Sequence, residues 1–264
     1  TPGSTLSANP TSETSRHPVA VTRRRGIETL GRLSALADEP EEAAPQNHPL
    51  LEELAMAGRI LQTEGVLDGY GSISVRDQSN PNRIFLGSQE IGEYDLNGRL
   101  MSGDLSAGHP DRFLHCEIYR ARPDVMAIVH SQASELIPFA ASSVPLLPVL
   151  EMANFLISGV PVFESRSVGA VNDEIMRARA IGQAITGALG DKAAVLMRGR
   201  GAVVVAPSLH VAVGRAYFMN LNARLQAQSI LLGGTVHYLQ PSDPPAPTAE
   251  FERAWEYWKQ RTIA

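Results

Sequence analysis

From residue 47 onward, the apolar positions recur with two different periods. Leu50, Leu51, Leu54, Ala57, Ile60 and Leu61 keep the three-to-four spacing of one helical face. Asn47 is placed to cap that helix, Pro49 sits in its first turn, and Gly65 ends it. After the turn Gly69-Tyr70-Gly71, residues 72–76 alternate as a strand does. Residues 83–86, beyond Asn80-Pro81-Asn82, predict a second strand and so a hairpin, and residues 95–99 read as a further turn. Phe113, Leu114, Glu117, Ile118 and Ala121 mark the next helix, which must stop at Arg122-Pro123 because a residue before proline avoids the helical region. Residues 126–130 form a continuous apolar run typical of an interior strand and end in His130. Ser134 is placed to cap a short helix to Ala141, and residues 160–163 read as a short strand. Residues 172–189 are helical up to Gly190. Residues 193–197 and 202–206 are strands around a Gly199-Arg200-Gly201 turn. Ser208 caps a long helix to Leu232, and residues 248–261 form a last amphipathic helix with Trp255 and Trp258. Strands and helices mixed without strict alternation predict an α/β/α sandwich on a mixed sheet.

Composition narrows the possible functions. The 264 residues are 44% hydrophobic and carry a net charge of −5 with both signs interspersed, so no basic face points to nucleic acid. No apolar run is long enough to span a bilayer. The single cysteine, Cys116, excludes an intramolecular disulfide and fits a reducing, cytoplasmic setting. It reads as a small buried apolar residue. Residues 1–46 are expected to be a disordered or extended tail and linker. Residues 1–26 are rich in Ser, Thr and Pro and end in Arg23-Arg24-Arg25, and an acidic, proline-interrupted stretch covers residues 38–46. An organellar targeting segment is the competing reading of that tail. The folded domain is expected over residues 47–264. No glycine-rich phosphate loop follows a strand, so nucleotide binding has no support.

Four landmarks carry a family resemblance: Gly71-Ser-Ile-Ser-Val-Arg76; the segment His115…Tyr119…Arg122-Pro-Asp124…His130; Met197-Arg-Gly-Arg-Gly-Ala-Val-Val-Val205; and the long helix from Ala212 to Leu225. With these the chain resembles the class II aldolase/adducin family from about residue 50 to 239. Members of that family include sugar-phosphate aldolases, ribulose-phosphate epimerases and some aromatic-acid decarboxylases. The resemblance implies a three-layer α/β/α sandwich with a central, mixed but largely antiparallel sheet, and a homotetramer with the active site near a subunit interface. It also implies a divalent ion, zinc or manganese, held by a His-x-His at a strand end and a third histidine in a later turn, with a glutamate assisting.

Carried over by position, the first histidine is His130, the second becomes Gln132, the third becomes Arg200, and the glutamate becomes Asp111. A glutamine amide is a poor ligand, and an arginine is a permanent cation with no lone pair to give. The expectation is therefore that no metal is held and no cofactor is needed. A site rebuilt from His130 with Asp111, Glu151 or His115 is the alternative. Phosphate-binding positions are altered as well. Ser72 stands where phosphosugar aldolases have Asn, and His109-Pro110-Asp111 replaces Ser-Ser-Glu, which argues against a phosphorylated sugar. The stretch around residues 144–152 looks more like the aromatic-acid branch, with Glu151 where that branch tends to have a histidine.

His130, Asp111 and Arg200 are the candidate catalytic residues. His130 has the near-neutral basicity that proton transfer needs. Arg200 would clamp a carboxylate or a developing oxyanion, or else pair with Asp111 or Glu151 and close the site. Gln132, Glu151, His115 and Ser72 are the candidate substrate-binding residues. His115 also reads as a helix-to-sheet contact, and His109 as an exposed loop residue. The resulting expectation is a lyase-type enzyme acting without metal on a small non-phosphorylated oxo or hydroxy acid, aromatic acids being among the candidates. Its reaction would be C–C cleavage or formation, decarboxylation, enolisation or cyclisation. A non-catalytic, adducin-like interaction protein and a metalloenzyme with a rebuilt site are the two alternatives.

Overall fold

The computed structural model describes residues 48–87, 90–103, 108–169 and 172–263. The expected tail and the expected cap Asn47 lie outside them. Helix α1 (Pro49–Thr63) is instead capped by His48, whose Nδ1 accepts from the Leu50 amide at 3.3 Å. The chain continues through strands β1 (Ser72–Arg76), β2 (Arg83–Leu86), β3 (Gly92–Asp95) and β4 (Leu100–Ser102), then helix α2 (Arg112–Ala121) and strand β5 (Ala127–Ser131). Helix α3 (Ile137–Ala141) and strand β6 (Val162–Phe163) follow. After them come helix α4 (Glu174–Leu189), strands β7 (Ala194–Met197) and β8 (Gly201–Ala206), and helices α5 (Leu209–Leu231) and α6 (Thr248–Ile263).

The strands form one sheet in the order β4-β3-β2-β1-β5-β8-β7-β6. Of the pairings described, only β6 with β7 is parallel. Alternation along β1 divides the two faces. Ile73 and Val75 pack with Val129, Leu54, Val211 and Trp255 beneath α1, α5 and α6. On the other face Ile84, Ile128, Val203 and Val205 meet Ile118 and Tyr119 of α2 and Ile185 and Leu189 of α4. Both faces are thus covered, which gives the expected three layers with the mixed, largely antiparallel sheet at the centre.

Three local readings are corrected. Strands β3 and β4 had no alternating apolar signal, because Glu93 and Asp95 interrupt the first and the second spans three residues. Ser134 does not cap: its hydroxyl donates to Glu135 at 2.9 Å, and a 3-10 turn (Ser134–Leu136) leads into α3. His109 is half-buried rather than exposed. Its amide donates to the Tyr94 hydroxyl at 2.7 Å. Among the described residues no helix is long and apolar enough to cross a membrane.

Candidate active site

Two strand positions and one helix start build the site. Ser72 and His130 are directly opposite one another in the β1–β5 ladder, so both side chains leave the sheet on the α2 face. Asp111 is the residue before α2. An aspartate there ordinarily turns back to cap the helix, but this one makes no capping bond. Its Oδ2 accepts instead from Ser72 Oγ at 2.7 Å and from His130 Nδ1 at 2.7 Å.

The polar chain extends inward. Ser72 Oγ lies 2.9 Å from His115 Nε2, His115 Nδ1 lies 2.7 Å from Ser74 Oγ, and Ser74 Oγ lies 2.8 Å from the Tyr119 hydroxyl. Its polarity follows from one end. An ionised Asp111 takes the Ser72 proton. Ser72 Oγ must then accept from His115 Nε2–H, His115 Nδ1 accepts from Ser74, and Ser74 accepts from Tyr119. Burial holds His115 down at about 3, outweighing the opposing pull of Asp111, so the imidazole is neutral. Burial pushes the Asp111 carboxyl up, but the hydrogen bonds and charge of His130, with those of His115 and Ser72, leave it well below the usual carboxylate range. With Nδ1–H given to Asp111, His130 keeps a lone pair on Nε2. That atom is buried and has no partner among the described residues.

His130 and Asp111 line a cavity of about 310 Å³. Apolar walls come from Phe113 and Leu114 of α2, Ile181 and Ile185 of α4, and Phe163 and Met197 of the neighbouring strands. Arg177, Arg198 and Arg200, all exposed, stand at its mouth. Arg200 lies in a tight turn. Its amide donates to Met197 O at 2.9 Å, and Gly199 and Gly201 take φ of 71° and 82°. A Cβ on Gly201 would collide with Ser131 O, so the turn is pressed against the end of β5 beside His130.

Thus the structure brings His130, Asp111 and Arg200 to one cavity, with Ser72 and His115 buried immediately behind Asp111. Gln132 follows β5 and does not line this cavity. Glu151 is exposed at the start of a 3-10 turn (Glu151–Leu156), also away from the cavity lining. Among the described residues Arg200 makes no ion pair with Asp111 or Glu151, so the closing salt bridge weighed from sequence is absent there. Arg198 does pair, its Nε lying 3.0 Å from Glu164 Oε2. Ser74, Tyr119, Arg177 and Arg198 escaped the sequence reading. The one signal for Arg177 was its spacing, four and eight residues before Ile181 and Ile185. Cys116 is buried, burial pushes its thiol up to about 12, and it stands outside the site.

The residues present do not fit a divalent ion. One imidazole nitrogen of His130 is committed to Asp111, a guanidinium lines the same cavity, and no group of three His, Cys, Asp or Glu among the described residues could hold a metal.

Comparison with known proteins agrees with this architecture. The family described as Class II Aldolase and Adducin N-terminal domain matches residues 52–227. "Decarboxylase tropJ" of Talaromyces stipitatus is 29% identical over 235 residues, covering 75% of this chain and 88% of that protein. A 3,4-dihydroxyphthalate decarboxylase of Arthrobacter keyseri is 29% identical over 213 residues, covering 73% of this chain and 83% of that protein. Among solved structures, an aldolase II superfamily protein from Pseudomonas syringae superposes with a TM-score of 0.66 at 18% identity, over 83% of this chain and 94% of that one. An L-fuculose 1-phosphate aldolase from Glaciozyma antarctica gives 0.59 at 19% identity, over 80% and 87%.

Proposed function

This chain belongs to the class II aldolase and adducin family, and we propose that it is a lyase that decarboxylates a small, non-phosphorylated aromatic acid without the family's divalent ion. The observation that carries the reading is the His130–Asp111 pair at the base of an apolar cavity whose mouth presents Arg200. The two decarboxylases similar to this chain support it, one of them named for an aromatic acid.

The apolar walls would hold an aromatic ring, and Arg200 would fix an acidic oxygen by paired N–H donors. Asp111 keeps the His130 ring in one orientation, so that Nε2, the nitrogen not bound to Asp111, is the one that would pass a proton to the bound ring. In the reaction that proton bonds to the ring carbon bearing the carboxylate, the carbon–carboxylate bond breaks, its electron pair returns to the ring, and carbon dioxide leaves. Arg200 would hold an acidic oxygen of the substrate in place through this step, an anchoring task a metal ion would otherwise perform. Asp111 and His130 would handle the proton, while Ser72 and His115 would fix Asp111. A homotetramer, as in the family's aldolases, is the assembly we infer.

The test is release of carbon dioxide from a panel of hydroxylated aromatic acids, run with metal content measured by plasma mass spectrometry and with a chelator present. Turnover is expected in metal-free protein. His130→Ala and Arg200→Ala should each lower kcat/KM by about a hundredfold or more while leaving the circular dichroism unchanged. Full activity in both variants overturns the mechanism, and activity that appears only with bound zinc or manganese restores the family's metal chemistry.

A further inference from the structure

The mouth of the cavity contains one cation too many for a simple carboxylic acid. Arg177, Ile181 and Ile185 lie four residues apart along α4, and all three line the cavity. Arg177 therefore stands, with Glu174 one turn before it, where the cavity-facing stripe meets solvent. Gly182 lets α4 approach α2 closely: a Cβ there would stand 2.8 Å from Phe113 O, so the stripe is held against the helix that follows Asp111. Arg200 comes from a different element, the β7–β8 turn pinned against the end of β5.

Among the described residues no acid is paired with either guanidinium. Glu164 is bound to Arg198 at 3.0 Å and to Arg166 at 2.9 Å. Asp111 is bound to His130 and Ser72. Glu174 lines the mouth but makes no ion pair with Arg177 among the described residues. In a chain with a net charge of −5, this leaves a local cationic rim that draws anions to the cavity.

We propose that Arg177 and Arg200 are two separate anion subsites, so that the substrate is an aromatic ring carrying two acidic groups, one held by each guanidinium. This rests on the reading of the cavity as an aromatic-acid site, and it assigns Arg177 as the residue that selects a dianion over a monoanion. A volume of about 310 Å³ suits a single ring with its substituents.

Binding, not turnover, tests the subsites. Benzoate, phthalate, isophthalate, terephthalate and phenyl phosphate are titrated calorimetrically into the intact protein. At least one benzene dicarboxylate is expected to bind about fivefold to tenfold more tightly than benzoate. Arg177→Gln should remove that preference, and Arg177→Lys, which keeps the charge, should retain most of it. Arg177 is exposed, so neither change threatens folding, and unaltered melting confirms this. Equal binding of benzoate and all three dicarboxylates overturns the proposal, as does a preference that survives in Arg177→Gln. Phenyl phosphate binding as tightly as the best dicarboxylate overturns it too, since two charges on one group would then suffice. A preference that vanishes in Arg177→Gln, in protein that releases no carbon dioxide from any acid, supports the subsites while sinking the decarboxylase reading.

Discussion

At the scale of single residues, His115 shows how an internal side chain governs one that lines the cavity. It touches no cavity, yet its Nε2–H fixes Ser72, Ser72 fixes Asp111, and Asp111 orients His130. The arrangement works only while the imidazole is neutral, and burial ensures this by holding it at about 3 against an ordinary 6.5. A consequence for stability follows. Between those two values the unfolded chain takes up a proton that the folded chain refuses, so stability must fall as the pH drops from 6.5 towards 3. His115→Gln keeps a donor near Ser72 but has no such proton to take up. Urea unfolding at pH 7 and pH 5 should therefore show wild type losing up to about 2 kcal/mol more than His115→Gln over that interval. Parallel losses in the two proteins would mean that His115 is not held neutral. The same residue illustrates what could be read in advance. That His115 joins helix to sheet was visible from its place in the helix. Its dependence on two serines was not: Ser72 reads from sequence only as a substrate contact, and Ser74 looks like an ordinary small strand residue until β5 and α2 are set beside β1.

At the scale of elements, α5 does more than cover the sheet. Asn222 and Gln226 lie one turn apart and are fully buried, which is unusual for side-chain amides. Each acts as a stand-in for a neighbouring strand. Asn222 Oδ1 accepts from the Val149 and Leu150 amides at 2.8 Å and 3.1 Å, and its Nδ2 donates to Leu147 O at 2.9 Å. Gln226 accepts from the Leu147 amide at 3.0 Å and donates to Pro145 O at 2.8 Å. The proline-rich loop leading to Glu151 is thereby tied to the helix despite having no ladder of its own. Asn222→Ala would leave two amides and a carbonyl without partners, at a cost of about 2–4 kcal/mol. That loss should appear as a lower midpoint in chemical denaturation, and Asn222→Ala unfolding at the wild-type midpoint would show that the strap contributes nothing. The helix was legible from its Ser208 cap and its length. The role of the amides was not, because their partners lie more than seventy residues away in sequence.

At the scale of the whole molecule, the layers could be read because they depend on period alone: β1 alternates, β5, β7 and β8 are apolar runs, and α1, α2 and α4 carry apolar faces that must be covered. The edge strand β4 and its neighbour β3 could not, since Glu93 and Asp95 interrupt β3 and β4 is three residues long. The convergence of His130, Asp111 and Arg200 was legible only through the family resemblance, as nothing local places residue 200 beside residue 130. One feature is explained by neither fold nor site. At the end of α5, Leu231 and Leu232 are 83% and 86% exposed beside a partly exposed Ile230. An exposed apolar run of this kind is what a contact between chains would cover. Members of this family commonly assemble, and a homo-oligomer would cover it. Sedimentation should accordingly give a mass that is a multiple of the 28.4 kDa chain. Placing two charges in the contact with Leu231→Glu and Leu232→Glu should shift the population towards the monomer, because unpaired carboxylates are costly to bury. A monomeric wild type would contradict the assembly itself. An oligomer of unchanged mass in the double variant would move the interface elsewhere, with Ile175 and Met176, beside Arg177 at the mouth of the cavity and 54% and 64% exposed, as the next apolar surface to test.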